Sequence, residues 1–269
     1  MYEYDADTAV SPIGGGAYRG TVTDRYSIGP YPNGGYVVGV ALSAVAAELP
    51  HPDPMSVSAV FLRPCDHGPA EIRVETMRTG RTVSTASASL FQNDVERLRL
   101  LANYTDLSRS VGPTVVTAVP PPLPPLEECV SRGIAPAPNG LIPTIGARFD
   151  TRFDPATVGW AGGRRSGRGE VGGWQRFADD RPLDTAALPL VCDGMPPAVF
   201  NLVPTGWVPT IEYTVLVRAR PAGGWWRSWF TTRALIGGLL EEDGEIWDGE
   251  DRLVAQSRQL ARANPPPPD

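Results

Sequence analysis

The sequence predicts an α+β protein built as two copies of one plan, an apolar helix followed by an antiparallel sheet. Three observations carry that expectation. The chain has 269 residues, enough at about 150 residues per domain for two modest domains. Gly and Pro number 29 each, above ordinary usage, which favours turn-rich strands over a helical bundle. In each half a helix-like apolar run precedes strand-like runs, and a proline-dense stretch lies between the halves.

The elements follow in chain order. The opening residues Met1 to Asp7 lack the charged and apolar regions of a signal peptide, and no apolar run reaches the roughly 18 residues of a membrane span, so a cytoplasmic protein is expected. Asn33 is a candidate N-cap for an apolar helix that begins at Gly34-Gly35 and runs to Leu49, where Pro50 stops it. Such a helix is too hydrophobic for a surface and must be wrapped. Strand patterns follow at Met55 to Arg63, Ala70 to Met77, Thr82 to Phe91 and Arg97 to Thr105, with Ile72, Val74 and Thr76 alternating against Glu71, Arg73 and Glu75. The first unit therefore covers 1–112.

A connector over 113–145 holds Pro120-Pro121-Pro122, Pro124-Pro125, Pro136, Pro138 and Pro143, a density that excludes helix and central strand. The second unit, 146–264, repeats the plan. Asp184 is placed to cap a short helix through Leu188 and Leu190 toward Asp193, and Gly194 with Pro196-Pro197 ends it. Strand patterns then run over Val208 to Arg220, Trp225 to Ala234, Leu239 to Trp247 and Leu253 to Ala261. Residues 265–269 form a proline-rich tail expected to fray.

Composition removes several classes of function. The net charge is −6, and all 24 basic residues are Arg, so lysine Schiff-base chemistry and a P-loop lysine are excluded. An acidic chain with no basic block has no footprint for a phosphate backbone, and nucleic acid is not an expected partner. Cys65, Cys129 and Cys192 are far apart, and His51 and His67 are the only histidines, so neither a disulfide framework nor a metal site is expected. No G-x-S-x-G elbow occurs, and no second-half His could activate Cys192, which reads as a small buried residue. Trp225, Trp226, Trp229 and Phe230 read as core or subunit-interface packing ahead of a ligand platform.

Residue detail narrows the plan. Gly34-Gly35-Tyr36-Val37-Val38-Gly39 opens the first helix, Phe61-Leu62-Arg63-Pro64 ends the first long strand, and Val74-Glu75-Thr76-Met77-Arg78-Thr79-Gly80 forms the next hairpin. With these in order over roughly residues 20 to 106, and a sparser match over 172 to 262, the sequence resembles the acyl-CoA thioesterase II family. The resemblance implies a tandem double hotdog, two central helices each wrapped by a curved antiparallel sheet. It also implies hydrolysis of an acyl-CoA to free acid and CoA, with no cofactor, and a catalytic set comprising Asp193, Thr210 and Gln259. The stretch Cys192-Asp193-Gly194-Met195-Pro196-Pro197 departs from the family's usual wording, which leaves chain-length preference open.

The residues carry plainer readings beside these. Asp193 before Gly-Met-Pro-Pro suits a turn, and Thr210 suits any strand. Strand parity leaves Gln259 and Gln256 both open, since they face opposite sides, and only the family's register favours Gln259. In the implied chemistry Asp193 takes a proton from water, made more basic by the negative pole of its own helix, while Thr210 and Gln259 orient water and carbonyl. A CoA thiol with a pKa of about 8.5 leaves without strong acid assistance. Unpaired sheet edges lead to the expectation of a homo-oligomer. A non-catalytic acyl-CoA or acyl-ligand binding double hotdog is the alternative, and a purely structural module would have a filled core where the acyl tunnel should be.

Overall fold

The computed structural model describes residues 1–131 and 142–265, so Pro136 and Pro138 of the connector and Pro266 to Pro268 of the tail lie outside the described residues. A one-turn helix α1 (Glu3–Asp7) is followed by the hairpin of β1 (Ser11–Gly14) and β2 (Ala17–Val22), then by a small ribbon of β3 (Ser27–Ile28) and β4 (Tyr31–Pro32). Helix α2 (Gly34–Glu48) leads into β5 (Asp53–Phe61), β6 (Gly68–Thr79), β7 (Val83–Gln92) and β8 (Val95–Thr105). The second half contains β9 (Val130–Ser131), β10 (Phe149–Phe153), β11 (Glu170–Phe177), helix α3 (Leu188–Val191) and β12 (Thr210–Val217). It closes with β13 (Trp226–Thr231), β14 (Leu235–Ile236), β15 (Leu239–Trp247) and β16 (Leu253–Arg262).

One antiparallel sheet holds all of these strands except the β3–β4 ribbon, in the order β1-β2-β6-β7-β8-β5-β12-β16-β15-β13-β11-β10-β9, with β14 on β15. The two halves share a wiring rule. Of the five strands β2-β6-β7-β8-β5, the one that precedes the helix lies farthest from the centre and the first after it innermost; β11-β13-β15-β16-β12 repeats that order in the second half, with β1 beyond β2 and β10 and β9 beyond β11. The innermost strands β5 and β12 pair across the middle, with Val57 opposite Val215 and Ala59 opposite Tyr213. Ser58 and Thr214 bridge the same seam through their hydroxyls at 3.2 Å.

Helix α2 forms for the reasons legible in its sequence. Asn33 caps it by accepting from the Tyr36 N–H at 2.9 Å, and the chain turns extended at Leu49 before Pro50. Every residue from Gly35 to Leu42 is buried, because β2, β6, β7 and β8 curve around it. The second half differs, since its helix is a four-residue turn. Asp184 prepares it by accepting from the Ala187 N–H at 3.0 Å, and the Tyr213 hydroxyl donates to the Pro189 carbonyl at 2.8 Å, pinning α3 to the sheet. Among the described residues no helix is long and apolar enough to cross a membrane.

Strands β2 and β11, one before each helix, are elements that the periodicity of the sequence did not announce. In β11 the reason is Gly172-Gly173, a pair that reads as a strand breaker. Packing requires both glycines. A Cβ on Gly172 would lie 2.1 Å from the Trp229 ring, and one on Gly173 would lie 2.4 Å from the Arg152 carbonyl oxygen of β10. Half of the aromatic run is core, with Trp226 and Phe230 buried, Trp226 edge-on to Phe149 and Phe177, and Trp225 and Trp229 half-buried.

Candidate active site

Helix α3 delivers its last backbone turn to the start of helix α2. The meeting is close because α2 begins with two glycines. A Cβ at Gly35 would stand 2.5 Å from the Pro189 carbonyl oxygen and 2.8 Å from the Asp193 Cβ, and one at Gly34 would stand 2.9 Å from the Phe61 ring. Asp193 follows α3 after the capping residue Cys192 and meets the start of α2. Its Oδ2 accepts from the Gly35 N–H at 2.8 Å and from Asn33 Nδ2 at 2.9 Å, while Asn33 Nδ2 also donates to the Asp193 carbonyl at 2.8 Å. Asn33 therefore caps α2 with its oxygen and holds Asp193 with its nitrogen.

The Asp193 carboxyl is pushed up to about 6, chiefly because it lies deep in the protein, where charge is poorly solvated. Its hydrogen bonds from Gly35 and Asn33 pull the other way. The expected cause was the negative pole of its own helix, but α3 is a single turn, and the pole Asp193 touches is the positive start of α2. Burial is the stronger influence, and the direction of the shift is the one a base needs.

Thr210 and Gln259 reach the same place from the sheet. Thr210 is the first residue of β12, where the register skips between Thr210 and Glu212, opposite Ala261 and Leu260. That bulge matters, because Tyr213, Val215 and Val217 mark the inward face by odd numbers, and strict alternation would turn Thr210 outward. Gln259 lies inward on β16 opposite Tyr213, buried, and the Thr210 hydroxyl donates to its Oε1 at 2.6 Å. Gln256, the parity alternative, lies on the other face, opposite Leu216 and Glu245.

Asp193, Thr210 and Gln259 all line one cavity of about 780 Å³, a volume in the range of small-molecule sites. Its apolar walls include Val37, Phe61, Phe149, Trp160 and Phe200, with the stacked pair Tyr31 and Trp207 joining the two halves at 3.8 Å between ring centroids. An open cavity against Asp193 is the feature that a purely structural module would lack. Arg63 and Arg176 also line it. Arg176 is engaged by Asp150 and Asp180, whereas Arg63 is exposed and has no ion pair among the described residues.

One cavity residue was missing from the sequence reading. Glu242 of β15 is buried and pushed up to about 7, first by burial. It accepts from Gln259 Nε2 at 2.8 Å and from the Ala198 N–H at 2.6 Å. The signal was there in the alternation of β15, which puts Leu240, Glu242, Gly244 and Ile246 on the buried face, so that a carboxyl interrupts an apolar row. The flanking Glu241 and Asp243 disguise it as part of a solvated acidic run. Cys192, beside Asp193, is buried, and its thiol is pushed up to about 12 by that burial, which leaves it protonated and unreactive. Among the described residues, His, Cys, Asp and Glu side chains nowhere gather in threes as a metal site requires.

Comparisons with known proteins agree with this architecture. A family profile described as acyl-CoA thioesterase N-terminal domain matches residues 22–105, and one described as acyl-CoA thioesterase C-terminal domain matches residues 125–263. The crystal structure of a candidate thioesterase II from Thermobifida fusca YX is 33% identical, covers 98% of both chains and superposes with a TM-score of 0.87. A protein of unknown function with a hotdog fold from Alicyclobacillus acidocaldarius, 24% identical over 99% of both chains with a TM-score of 0.84, shares the fold. An uncharacterized protein of Mycobacterium tuberculosis is 28% identical over 266 residues, covering 91% of this chain and 90% of its own. Matched in order along both halves, the chain belongs to the acyl-CoA thioesterase family.

Proposed function

We propose that this chain hydrolyses an acyl-CoA thioester to the free acid and CoA, with Asp193 as the base that activates water. The observation that carries the reading is the carboxyl of Asp193, held by the start of α2 and opening onto a cavity that it shares with Thr210 and Gln259. Its Oδ2 is engaged by Gly35 and Asn33, so Oδ1 is the oxygen offered to a water. The water loses a proton to Asp193 while its oxygen bonds to the thioester carbon. The resulting oxyanion re-forms the carbonyl, the C–S bond breaks, and the CoA thiolate leaves and takes up the proton. Thr210 and Gln259 orient water and carbonyl by hydrogen bonds.

The same reading takes the two like-wired halves as a tandem double hotdog, with units 1–112 and 146–264 joined by the connector 113–145 and ended by the tail 265–269. It includes a cytoplasmic homo-oligomer acting without metal or cofactor, its sheet leaving β1 and β9 as terminal strands.

The test is release of CoA thiol, followed with a thiol reagent, from short, medium, long and aromatic acyl-CoAs. Turnover by the wild type that falls at least about 100-fold in Asp193→Asn supports the reading, as loss of a general base requires. Binding of acyl-CoA without turnover of any substrate would instead make the chain an acyl-CoA binding protein.

A further inference from the structure

Glu242 is a buried carboxyl on the cavity wall with no part in the proposed attack of water on the thioester. It stands on β15 directly opposite Gln259 of β16. Hydrogen bonds converge on it from two directions. Thr210 Oγ1 donates to Gln259 Oε1 and Gln259 Nε2 donates to Glu242 Oε1, while the Ala198 N–H donates to Glu242 Oε2.

A carboxylate can only accept, so an ionised Glu242 dictates the direction of the chain that ends on it. The Gln259 amide must turn its nitrogen toward Glu242, and its oxygen then faces Thr210. Two consequences reach the cavity. The amide nitrogen has a second hydrogen that Glu242 does not use, and the Thr210 hydroxyl, its hydrogen given to Gln259, offers lone pairs. One residue is thereby set as a donor and the other as an acceptor.

We propose that Glu242 is a positioning residue of this site, the terminal acceptor that sets the polarity of the Thr210–Gln259–Glu242 chain, so that Gln259 presents an N–H and Thr210 a lone pair to the thioester and its water. The proposal rests on the thioesterase reading and deepens it. A protonated Glu242 would bear an O–H and lose that one-way polarity. The groups bearing on its charge are Gln259 from β16, the Ala198 N–H from the turn Ala198–Asn201, Asp243 on its own strand and Asp193 in the cavity. Burial and the two acids raise its pKa, while the two hydrogen bonds lower it.

The experiment compares wild type, Glu242→Gln and Glu242→Asp in CoA release across about pH 5 to 9, with thermal unfolding of each variant as a check on folding. Glu242→Gln keeps the volume but offers one acceptor and one donor, so it cannot accept from both Gln259 and the Ala198 N–H, and either the Gln259 amide flips or one of the two bonds is lost. It is expected to lose at least about tenfold in kcat with KM within about threefold, the signature of an interaction made in the transition state. Glu242→Asp is shorter and packs less well, yet remains a pure acceptor, and is expected to recover part of the rate. A packing role predicts the reverse ranking.

The acid limb gives an independent readout. Wild-type kcat/KM should fall through two ionisations, near 7 and near 6, and Glu242→Gln through the lower one alone. Glu242→Gln as active as Glu242→Asp, or keeping two ionisations, overturns the proposal while leaving the thioesterase reading standing. If Glu242→Gln does not fold, the shorter pair decides, Glu242→Asn slower than Glu242→Asp by about tenfold in kcat supporting the proposal and equal rates overturning it. A wild type that releases no CoA removes both.

Discussion

Asn33 illustrates how much one side chain settles here. Its amide oxygen ends the orphan N–H of Tyr36 and its nitrogen binds Asp193 twice, so capping a helix and holding the proposed base are the same act. Arg63 is the residue with the clearest substrate consequence. It is an exposed guanidinium at the cavity with no ion pair among the described residues, and on the thioesterase reading it is placed to meet a phosphate of CoA. Arg63→Ala is expected to raise KM for an acyl-CoA about fivefold, in keeping with a partly screened charge pair, and to leave the matching acyl-pantetheine unaffected. Equal loss on both thioesters would remove phosphate recognition from its role.

At the scale of elements, the approach of α2 to α3 is the constraint that bears directly on Asp193. Gly35→Ala would drive a methyl group into the Pro189 carbonyl and the Asp193 Cβ, both backed by packed structure. The variant should lose about 1 to 3 kcal/mol of stability, as overpacking does, and activity should fall by more than tenfold because the Asp193 carboxylate loses its register with the Gly35 N–H. Denaturant unfolding and CoA release check the two parts separately, and a variant of unchanged midpoint and rate would show the contact to be compliant. Bulging at the start of β12 is the sheet's counterpart. One extra residue brings Thr210 to the inner face that strict alternation would deny it.

For the molecule as a whole, two carboxyls with raised pKa values, the half-buried Asp193 and the buried Glu242, tie stability to pH. Asp193, near 6, and Glu242, near 7, hold protons in the folded protein that the unfolded chain would release near 4. Their contribution to stability is full below about pH 4 and is lost as pH rises through 6 to 7. Asp248 acts in the opposite sense, since its lowered pKa adds stability above about pH 4 that is lost in acid. Asp193→Asn cannot ionise and should unfold about 2 to 4 °C above wild type near pH 8, with the gap closing toward pH 4. A gap independent of pH, measured by thermal unfolding in matched buffers, would mean that ionisation of Asp193 is not its source.

Local pattern alone determined a good deal of this protein. Helix α2 from cap to stop, the strands β5 to β8 and the later strands β12, β13, β15 and β16 follow from periodicity and breakers, because these features act over a few neighbouring residues. Asp193, Thr210 and Gln259 came from resemblance to a family, and parity could not choose between Gln259 and Gln256. What only the tertiary structure decided are the contacts between elements far apart in the chain. The glycines of β11 look like breakers until the Trp229 ring lies over Gly172 and the β10 backbone against Gly173, Thr210 faces outward until a bulge turns it, and Glu242 reads as a solvated acid until its strand is laid beside Gln259. Sequence period states which face a residue offers; the opposing residue is chosen by the curvature and register of a sheet that joins both halves, and that choice makes these carboxyls and amides one site.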